Sequence, residues 1–335
     1  VLWRSPRPLS AAGLVSTGAG AVFVKRHDAR VREPPALAAE HAFARHLRAA
    51  GIETPEMLAT PDGLTAVVRH RADAAPAAVY EVHEVAPGAD LYRDAESWTA
   101  FRSDDHAREA GALLARLHLA ARGFEAGPRP FGPLVDSDEI VTAPDPPAAL
   151  AALVTARPGL RAGLAPHPWE RELGDALGPL LHDASRRARG LPRGWTHGDW
   201  HPSNLTWSRA GVPVAVLDLG LANRTVTIRD LAIAVERSCV SWLDPAPAAD
   251  LESVRALLAG YSAVRPLADA ERAALHALTA TAHVEFALSE VEYYAGVLGS
   301  PERAEIAYRD YLIGHARWFG SPAGRALLAL GAGAR

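Results

Sequence analysis

The sequence of 335 residues holds one lysine, one cysteine, one methionine, two asparagines and no glutamine. The solitary Cys239 rules out an internal disulfide framework and suits a reducing compartment. Long apolar runs are missing too. None reaches the roughly 18 uninterrupted residues that a bilayer span requires, and the apolar window 110–121 is broken by Arg116 and His118. The opening residues show no charged segment leading into an apolar one, as a secretory leader would. Basic charge is not in surplus either: the formal net charge is −4 and the pI about 6.4, without the electrostatic footprint of a nucleic-acid binder. These absences lead us to expect a cytoplasmic chain without membrane or nucleic-acid partners.

What is present looks globular. Hydrophobic residues make up 49% and charged residues 22%, and the length suffices for two domains or one large one. Arginine fills nearly every cationic position, and alanine is abundant. Against that bias, the lone lysine and the two asparagines need a reason: Lys25 lies in a β-prone segment, and Asn204 and Asn223 belong to the polar stretch that begins at Trp195 and its immediate continuation.

Along the chain, two short β segments within 12–25 surround a Gly-containing hairpin turn. A helical pattern follows from Ala36 to Ala50, with Glu40 inside it and Gly51 ending it. Strands are expected at 64–70 and 79–85, and Ala86-Pro87-Gly88 then breaks the pattern. Residues 104–121 form an amphipathic helix, 127–148 lack periodicity, and helices resume near 147–156 and 168–190. Beyond Asp230 nearly everything reads as helix: 229–242, 248–261, 268–297 and 301–319. The coarse architecture is α+β, a small first domain at 1–86 and a larger, mostly helical one at 87–335, with a ligand cleft between them.

Residues 195–220 carry the chemistry. The loop His197-Gly198-Asp199-Trp200-His201-Pro202-Ser203-Asn204 precedes a run of β-formers that ends in Asp218-Leu219-Gly220. An acidic residue at the end of a buried strand, next to a glycine, is a common holder of a divalent cation. Asp199 and Asn204 on the preceding loop can supply a base and a second cation ligand. Assembled in order, the parts describe phosphoryl transfer. Lys25 pairs with Glu40 and reaches two phosphates, a strand running into a hinge presents backbone to a nucleobase, and Asp199 orients a hydroxyl.

This ordered set resembles the aminoglycoside phosphotransferase and choline kinase family, a branch of the protein-kinase-like fold. The loop His197–Asn204 matches that family's H-G-D-x-x-x-x-N, Asp218-Leu219-Gly220 stands where it has D-F-G or D-x-D, and Asp230-Leu231-Ala232 resembles its D-L-A. The resemblance implies a two-lobed fold: a small N-terminal β-sheet lobe with one main helix, and a larger, mostly helical C-terminal lobe. It implies ATP or GTP and Mg²⁺ as cofactors. Asp199 becomes the catalytic base, Asn204 and Asp218 the metal ligands, Lys25 the phosphate-binding lysine and Glu40 its partner. Glu84 and Ala86 become backbone contacts to the base. His197 and Asp230 support the loop structurally. Departing from the family, the nucleotide-covering loop has no multi-glycine signature; Ser5, Arg7, Ser10 and Ser16 are candidate substitutes. The stretch 122–194 matches nothing in the family pattern.

Only nine residues separate Gly220 from Asp230, and no A-P-E segment follows, so no platform for a protein substrate is expected. The acceptor is expected to be a small alcohol: an aminoglycoside or other antibiotic, an amino alcohol, a sugar or a nucleoside. His201, Glu285 and Glu292 are its candidate contacts. Glu285 and Glu292, with Glu290 nearby, read either as an anionic wall for a cationic acceptor or as a solvated helix face. Two other classes compete: a catalytically silent nucleotide- or metabolite-binding module, and a metal hydrolase using His197-x-Asp199-x-His201.

Overall fold

The computed structural model describes residues 1–5, 11–70, 77–93, 95–130 and 132–333; Arg7 and Ser10 lie outside these. It opens with an antiparallel sheet of five strands, β1 (Trp3–Arg4), β2 (Ala11–Thr17), β3 (Gly20–Asp28), β4 (Val67–Arg69) and β5 (Ala78–Glu84), in the order β1-β2-β3-β5-β4. The β2–β3 hairpin turns at Thr17 and Gly20, where the glycine sits at φ +127° and Thr17 Oγ1 donates to its carbonyl at 2.7 Å. Between β3 and β4 runs α1 (Pro34–Ala49). Two prolines occupy its first turn, where no N–H is needed, and it buries Leu37, Phe43 and Leu47 together with Glu40 and His41.

The strand register decides which polar groups meet. Lys25 lies directly opposite Glu81, and Phe23 opposite His83. Side chains alternate between faces along a strand, so Phe23, Lys25 and His27 share one face with Val79, Glu81 and His83. Glu81 is fully buried there, accepting from His27 at 3.0 Å and His41 at 2.6 Å, with His83 at 3.3 Å.

After β5 the chain crosses through Ala86-Pro87-Gly88. Thr206 Oγ1 donates to Pro87 O at 2.6 Å, and Ala89 and Trp207 exchange both backbone hydrogen bonds at 2.8 Å. This crossing is therefore pinned to the second half of the molecule. That half is helical: α2 (Asp104–Ala120), α3 (Pro146–Ala156), α4 (Pro158–Leu164), α5 (Trp169–Ala188), α6 (Arg229–Ser238), α7 (Leu251–Val264), α8 (Asp269–Thr281), α9 (Val284–Glu292), α10 (Pro301–Ile306), α11 (Gly314–Phe319) and α12 (Pro322–Gly333). Two small antiparallel ribbons are set into it. β6 (Arg193–Thr196) pairs with β9 (Asn223–Val226), and β7 (Leu205–Trp207) with β8 (Pro213–Val216).

Several expectations are refined here. The helix expected over 268–297 is broken at Ala282-His283 and ends in a wide π-type turn at Tyr293–Val297. A second wide turn, Ala307–Ile313, interrupts 301–319. The aperiodic stretch 127–148 is irregular until α3, and much of it is buried: Asp136, Ser137 and Asp138 are inside the fold. Cys239 is a small core residue. No helix among the described residues is long and apolar enough to cross a membrane.

Candidate active site

The polar loop hangs from one carboxylate. Asp230, in the first turn of α6, accepts the backbone N–H of His197 at 2.6 Å and of Gly198 at 2.8 Å, and lies 3.2 Å from His118 Nε2. His118 is braced in turn by the Tyr261 hydroxyl at 2.7 Å. Burial works against the Asp230 charge, but His118, His197 and these hydrogen bonds outweigh it and hold its pKa down. Gly198 has to be glycine: its φ is +78°, and a Cβ would fall 2.7 Å from Asp136 Cβ and 2.9 Å from Leu221 O. The His197 ring accepts the Asp199 N–H at Nδ1 (3.1 Å) and donates from Nε2 to Leu217 O (2.9 Å). It thereby ties the Asp199 loop to the backbone just before Asp218, with its proton fixed on Nε2.

Asp199 is gripped from both sides. Arg237, from α6, donates to Oδ1 in a very close contact and to Gly198 O at 3.2 Å. Asn204 Nδ2 donates to Oδ2 at 3.1 Å and to the Asp199 carbonyl at 2.9 Å, and His201 Nε2 lies 3.5 Å from Oδ2. The Arg237 guanidinium is sandwiched 5.3 Å from the Trp98 ring centre and 4.8 Å from that of Phe286. Trp98 itself is held at φ +66°, a left-handed backbone that a bulky residue rarely adopts. Burial alone would push the Asp199 pKa up; the Arg237 charge, then His201, reverses this and holds it well below the usual carboxylate range.

Asp218 also sits in the left-handed region, at φ 53° and ψ 70°. Its Oδ1 accepts from Lys25 Nζ at 3.1 Å and from Gly220 N at 3.4 Å, and no other hydrogen bond reaches the carboxylate among the described residues. Its side chain is 39% exposed, unlike its buried neighbours. Burial and the nearby Asp199 charge oppose its ionisation, yet Lys25 holds its pKa well below the ordinary value. Lys25 stays charged in the same way: burial lowers its pKa, and Asp218, Glu81 and Glu40 together raise it further.

The expected Lys25–Glu40 pair does not form. The nearest carboxylates to Lys25 are Asp218 and, at 3.9 Å, Glu81. Glu40 meets Arg32 instead, at 3.4 Å, and Arg32 also donates to Gly220 O at 2.5 Å and Leu134 O at 2.8 Å. The register gives the reason, since Glu81 is the cross-strand partner of Lys25 and Glu40 acts only through space. Alternation of polar residues along 23–27 and 79–83 was the signal that could have revealed it.

The acceptor assignments change more. Glu285 is fully buried and accepts the backbone N–H groups of Ile140 at 2.6 Å and Val141 at 3.3 Å; burial raises its pKa well above the carboxylate range. It fastens the irregular stretch rather than facing a ligand. Glu292 is occupied by Arg157, at 2.8 Å in the closest contact. His201 is buried beside Asp199 and shares a hydrogen bond with Ser203 at 2.9 Å. Glu290 is different. It is 9% exposed, its charge field reaches Arg237 and Asp199, and burial lifts its pKa to about 7. Arg237 is a group that the sequence reading missed, and Glu290 was noted there only beside Glu285 and Glu292.

On the nucleotide side, the Glu84 N–H is spent on Glu56 O at 2.9 Å, while the Ala86 backbone makes no hydrogen bond among the described residues. Ser16 pairs with Ala21 in the hairpin, and Ser5 donates its N–H to Ala12 O at 2.8 Å. A carboxylate and an amide oxygen, Asp218 and Asn204, are hard donors of the sort Mg²⁺ takes from a protein.

The family model of the phosphotransferase enzyme family matches residues 11–267. The chain belongs to that family. The match includes Lys25, Asp199, Asn204, Asp218, Asp230 and Arg237, whereas Glu290 lies beyond it. Among curated proteins, a homoserine kinase of Phenylobacterium zucineum is 33% identical over 201 residues, covering 59% of this chain and 56% of that protein. The chain thus spans little more than half of that relative's length. Among solved structures, an amicoumacin kinase in complex with AMP-PNP and Ca²⁺ shares the fold with a TM-score of 0.64 at 14% identity, covering 94% of this chain and 87% of the other. A microcompartment-associated aminopropanol kinase does so with a TM-score of 0.62 at 22% identity, covering 99% and 93%. Both kinases thus share the two-lobed, kinase-like fold seen here.

Proposed function

We propose that the chain is an ATP- or GTP-dependent phosphotransferase that moves the γ-phosphoryl group to a hydroxyl of a small molecule. The observation that carries this reading is a pair of carboxylates, each kept ionised by its own cation: Asp199 by Arg237 and Asp218 by Lys25. Phosphoryl transfer asks mainly for positioning and charge neutralisation, so a carboxylate of low pKa suffices to orient the acceptor hydroxyl and take its proton. Asp199 has that role, with Oδ1 committed to Arg237 and Oδ2 steered by Asn204. Asn204 and Asp218 would hold Mg²⁺, which neutralises the phosphate oxygens when bound. Lys25 supplies a point charge to the phosphates, a task for which arginine's planar fork is less suited. The Ala86 backbone, open for hydrogen bonding, serves the base.

The same reading extends to the acceptor. Glu290 is a nearly buried carboxylate that feels the charges of Arg237 and Asp199, and among the described residues no cation forms an ion pair with it. A protonated amine on the acceptor supplies the missing charge. Relatives named homoserine kinase and aminopropanol kinase fit this class, because both names describe an alcohol that also carries an amine. We therefore place the acceptor among small amino alcohols, including hydroxylated amino acids.

The Asp199→Asn variant tests the reaction class. Its kcat should fall by about a thousandfold or more, the range for loss of a positioned base, while nucleotide affinity stays within about twofold. Full turnover in this variant would overturn the assignment. If the unaltered protein consumes no nucleotide with any of a panel of amino alcohols, sugars and aminoglycosides, the silent binding module takes its place.

A further inference from the structure

A second cluster of chemistry-bearing side chains lies one residue away from Arg237 and takes no part in the reaction above. Glu236 on α6, His283 at the break between α8 and α9, and His315 on α11 each offer a ligand atom, and these atoms lie within 4.8 Å of one another. All three residues are buried, at 1%, 0% and 8% exposure. The arrangement is incomplete as a hydrogen-bond network. Glu236 Oε1 takes His315 Nδ1 at 2.8 Å, but among the described residues Glu236 Oε2 has no hydrogen-bond partner, and neither has His283 Nδ1. A buried carboxylate oxygen and a buried ring nitrogen left bare are each costly, by about 1–3 kcal/mol, and two bare lone pairs in one cluster ask for a cation.

The orientation of His283 is that of a metal ligand. Its Nε2 donates to Leu312 O at 3.1 Å, which fixes the tautomer and turns the Nδ1 lone pair inward. Metal-bound imidazoles are commonly oriented by such a bond from the far ring nitrogen. His315 is held flat against Trp242, with ring centres 3.5 Å apart, and Trp242 is anchored by its own Nε1–H to Glu236 O at 2.6 Å. Two imidazoles and one carboxylate, with bonds of about 2.0–2.2 Å, form a familiar donor set for Zn²⁺. Tetrahedral geometry at that bond length puts donors about 3.3 Å apart; the Glu236–His315 contact at 2.8 Å would open slightly and the longer spacings would close. Tyr311, whose hydroxyl is also buried without a partner among the described residues and whose ring lies 4.7 Å from that of His315, is a candidate fourth donor.

We propose that Glu236, His283 and His315 form a structural site for a Zn²⁺-like divalent cation, distinct from the Asn204–Asp218 pair. On binding, His315 gives up its Nδ1 proton, which moves to Nε2 if the ring is neutral and to solvent if it is an imidazolium. The ion then bridges α6, the α8–α9 break and α11. It replaces an unsatisfied polar cluster next to Arg237 in the chain with a cross-link.

The test uses the full chain, freed of any histidine tag and of carried-over metal, then given Zn²⁺ or Co²⁺ and dialysed. We expect about one equivalent of Zn²⁺ per chain by mass spectrometry of the metal, and visible absorption bands of four-coordinate Co²⁺. Glu236→Gln, nearly isosteric, and His283→Leu should each abolish both signals, whereas Asp218→Asn should keep them. Zn²⁺ should raise the unfolding temperature of the unaltered chain and not of Glu236→Gln. Metal content below about a tenth of an equivalent with no Co²⁺ band, or equal metal in Glu236→Gln and the unaltered chain, overturns the proposal.

Discussion

A buried carboxylate that must stay ionised needs a cation it can rely on, and Asp199 has Arg237. Burial and the charge compete at this residue, and the charge prevails. An acid held far below its ordinary pKa stays ionised as pH falls, so kcat should show no acidic limb from Asp199 above about pH 5. In Arg237→Met the burial remains and the main counter-charge is gone. The Asp199 pKa then rises, kcat drops by about 10- to 1,000-fold, and an acidic limb enters the measurable range. A pH–rate profile of that variant decides it; a flat profile with unchanged kcat would make Arg237 a packing residue only. Glu290 works in the opposite direction. Its pKa of about 7 means that it becomes anionic only as pH rises through neutrality, with Arg237, Asp199, Tyr294 and Tyr311 as the charged or titratable groups around it. For an aminated acceptor, kcat/KM should therefore climb with pH to a plateau above about 7.5, and in Glu290→Gln that dependence should vanish while KM rises about 10- to 100-fold. An acceptor without an amine should be indifferent to the substitution. The grouping of Asp199, Asn204 and Asp218, to which we assign the chemistry, was legible in the sequence because one loop and one strand end carry all three. Arg237 was not, since it looks like an ordinary helix charge until folding brings it to the loop, and Glu290 could not be told from Glu285 and Glu292 on the same helix until their burial and partners were known.

At the scale of elements, the packing of α2 on α7 supports the loop from below, because His118 on α2 and Tyr261 on α7 complete the chain of bonds to Asp230. The two helices approach so closely that side chains are excluded at the contact. A Cβ on Gly260 would stand 1.9 Å from Arg108 O, and one on Gly111 would stand 2.2 Å from Leu257 O. Gly260→Ala gains helix propensity of about 1 kcal/mol, yet it forces the backbones apart. The expected net result is a loss of about 1–3 kcal/mol, seen as a lower unfolding temperature, with an accompanying loss of kcat as Asp230 loses its support. If the variant is more stable than its parent, the contact is looser than the geometry states. Helices α1 and α2 were legible because their apolar residues recur over four turns. Strands β6, β7 and β9, of three or four residues, were not, because so few positions carry no period. The break at Ala282-His283 was hidden for another reason: the alanine-rich α8 and the apolar-periodic α9 read as one continuous helix, and the tertiary contacts of His283 decide against it.

For the whole molecule, the decisive bond runs from the sheet to the helical half. Lys25 and Asp218 are 193 residues apart in sequence and 3.1 Å apart in space. The chain crosses between the halves at 86–88, where we place the lobe boundary, and Val216 N donating to Glu53 O at 2.8 Å makes a further tie. The two-lobed order could be foreseen because the motifs come in sequence order, whereas the tie through Glu53 had no sequence signal. A nucleotide that contacts Lys25 on one side and Asp218 on the other must stabilise both halves at once. A ligand at a hundred times its Kd adds about 2.7 kcal/mol to the folded state, enough to raise the unfolding temperature of a chain this size by several degrees. Magnesium nucleotide should produce that rise in the unaltered protein and equally in Asp199→Asn, whose loss lies in turnover. In Lys25→Met and Asp218→Asn the rise should shrink to less than half. A full shift in Lys25→Met would mean that the single lysine does not touch the phosphates, and its only remaining work would be to neutralise Asp218 and Glu81.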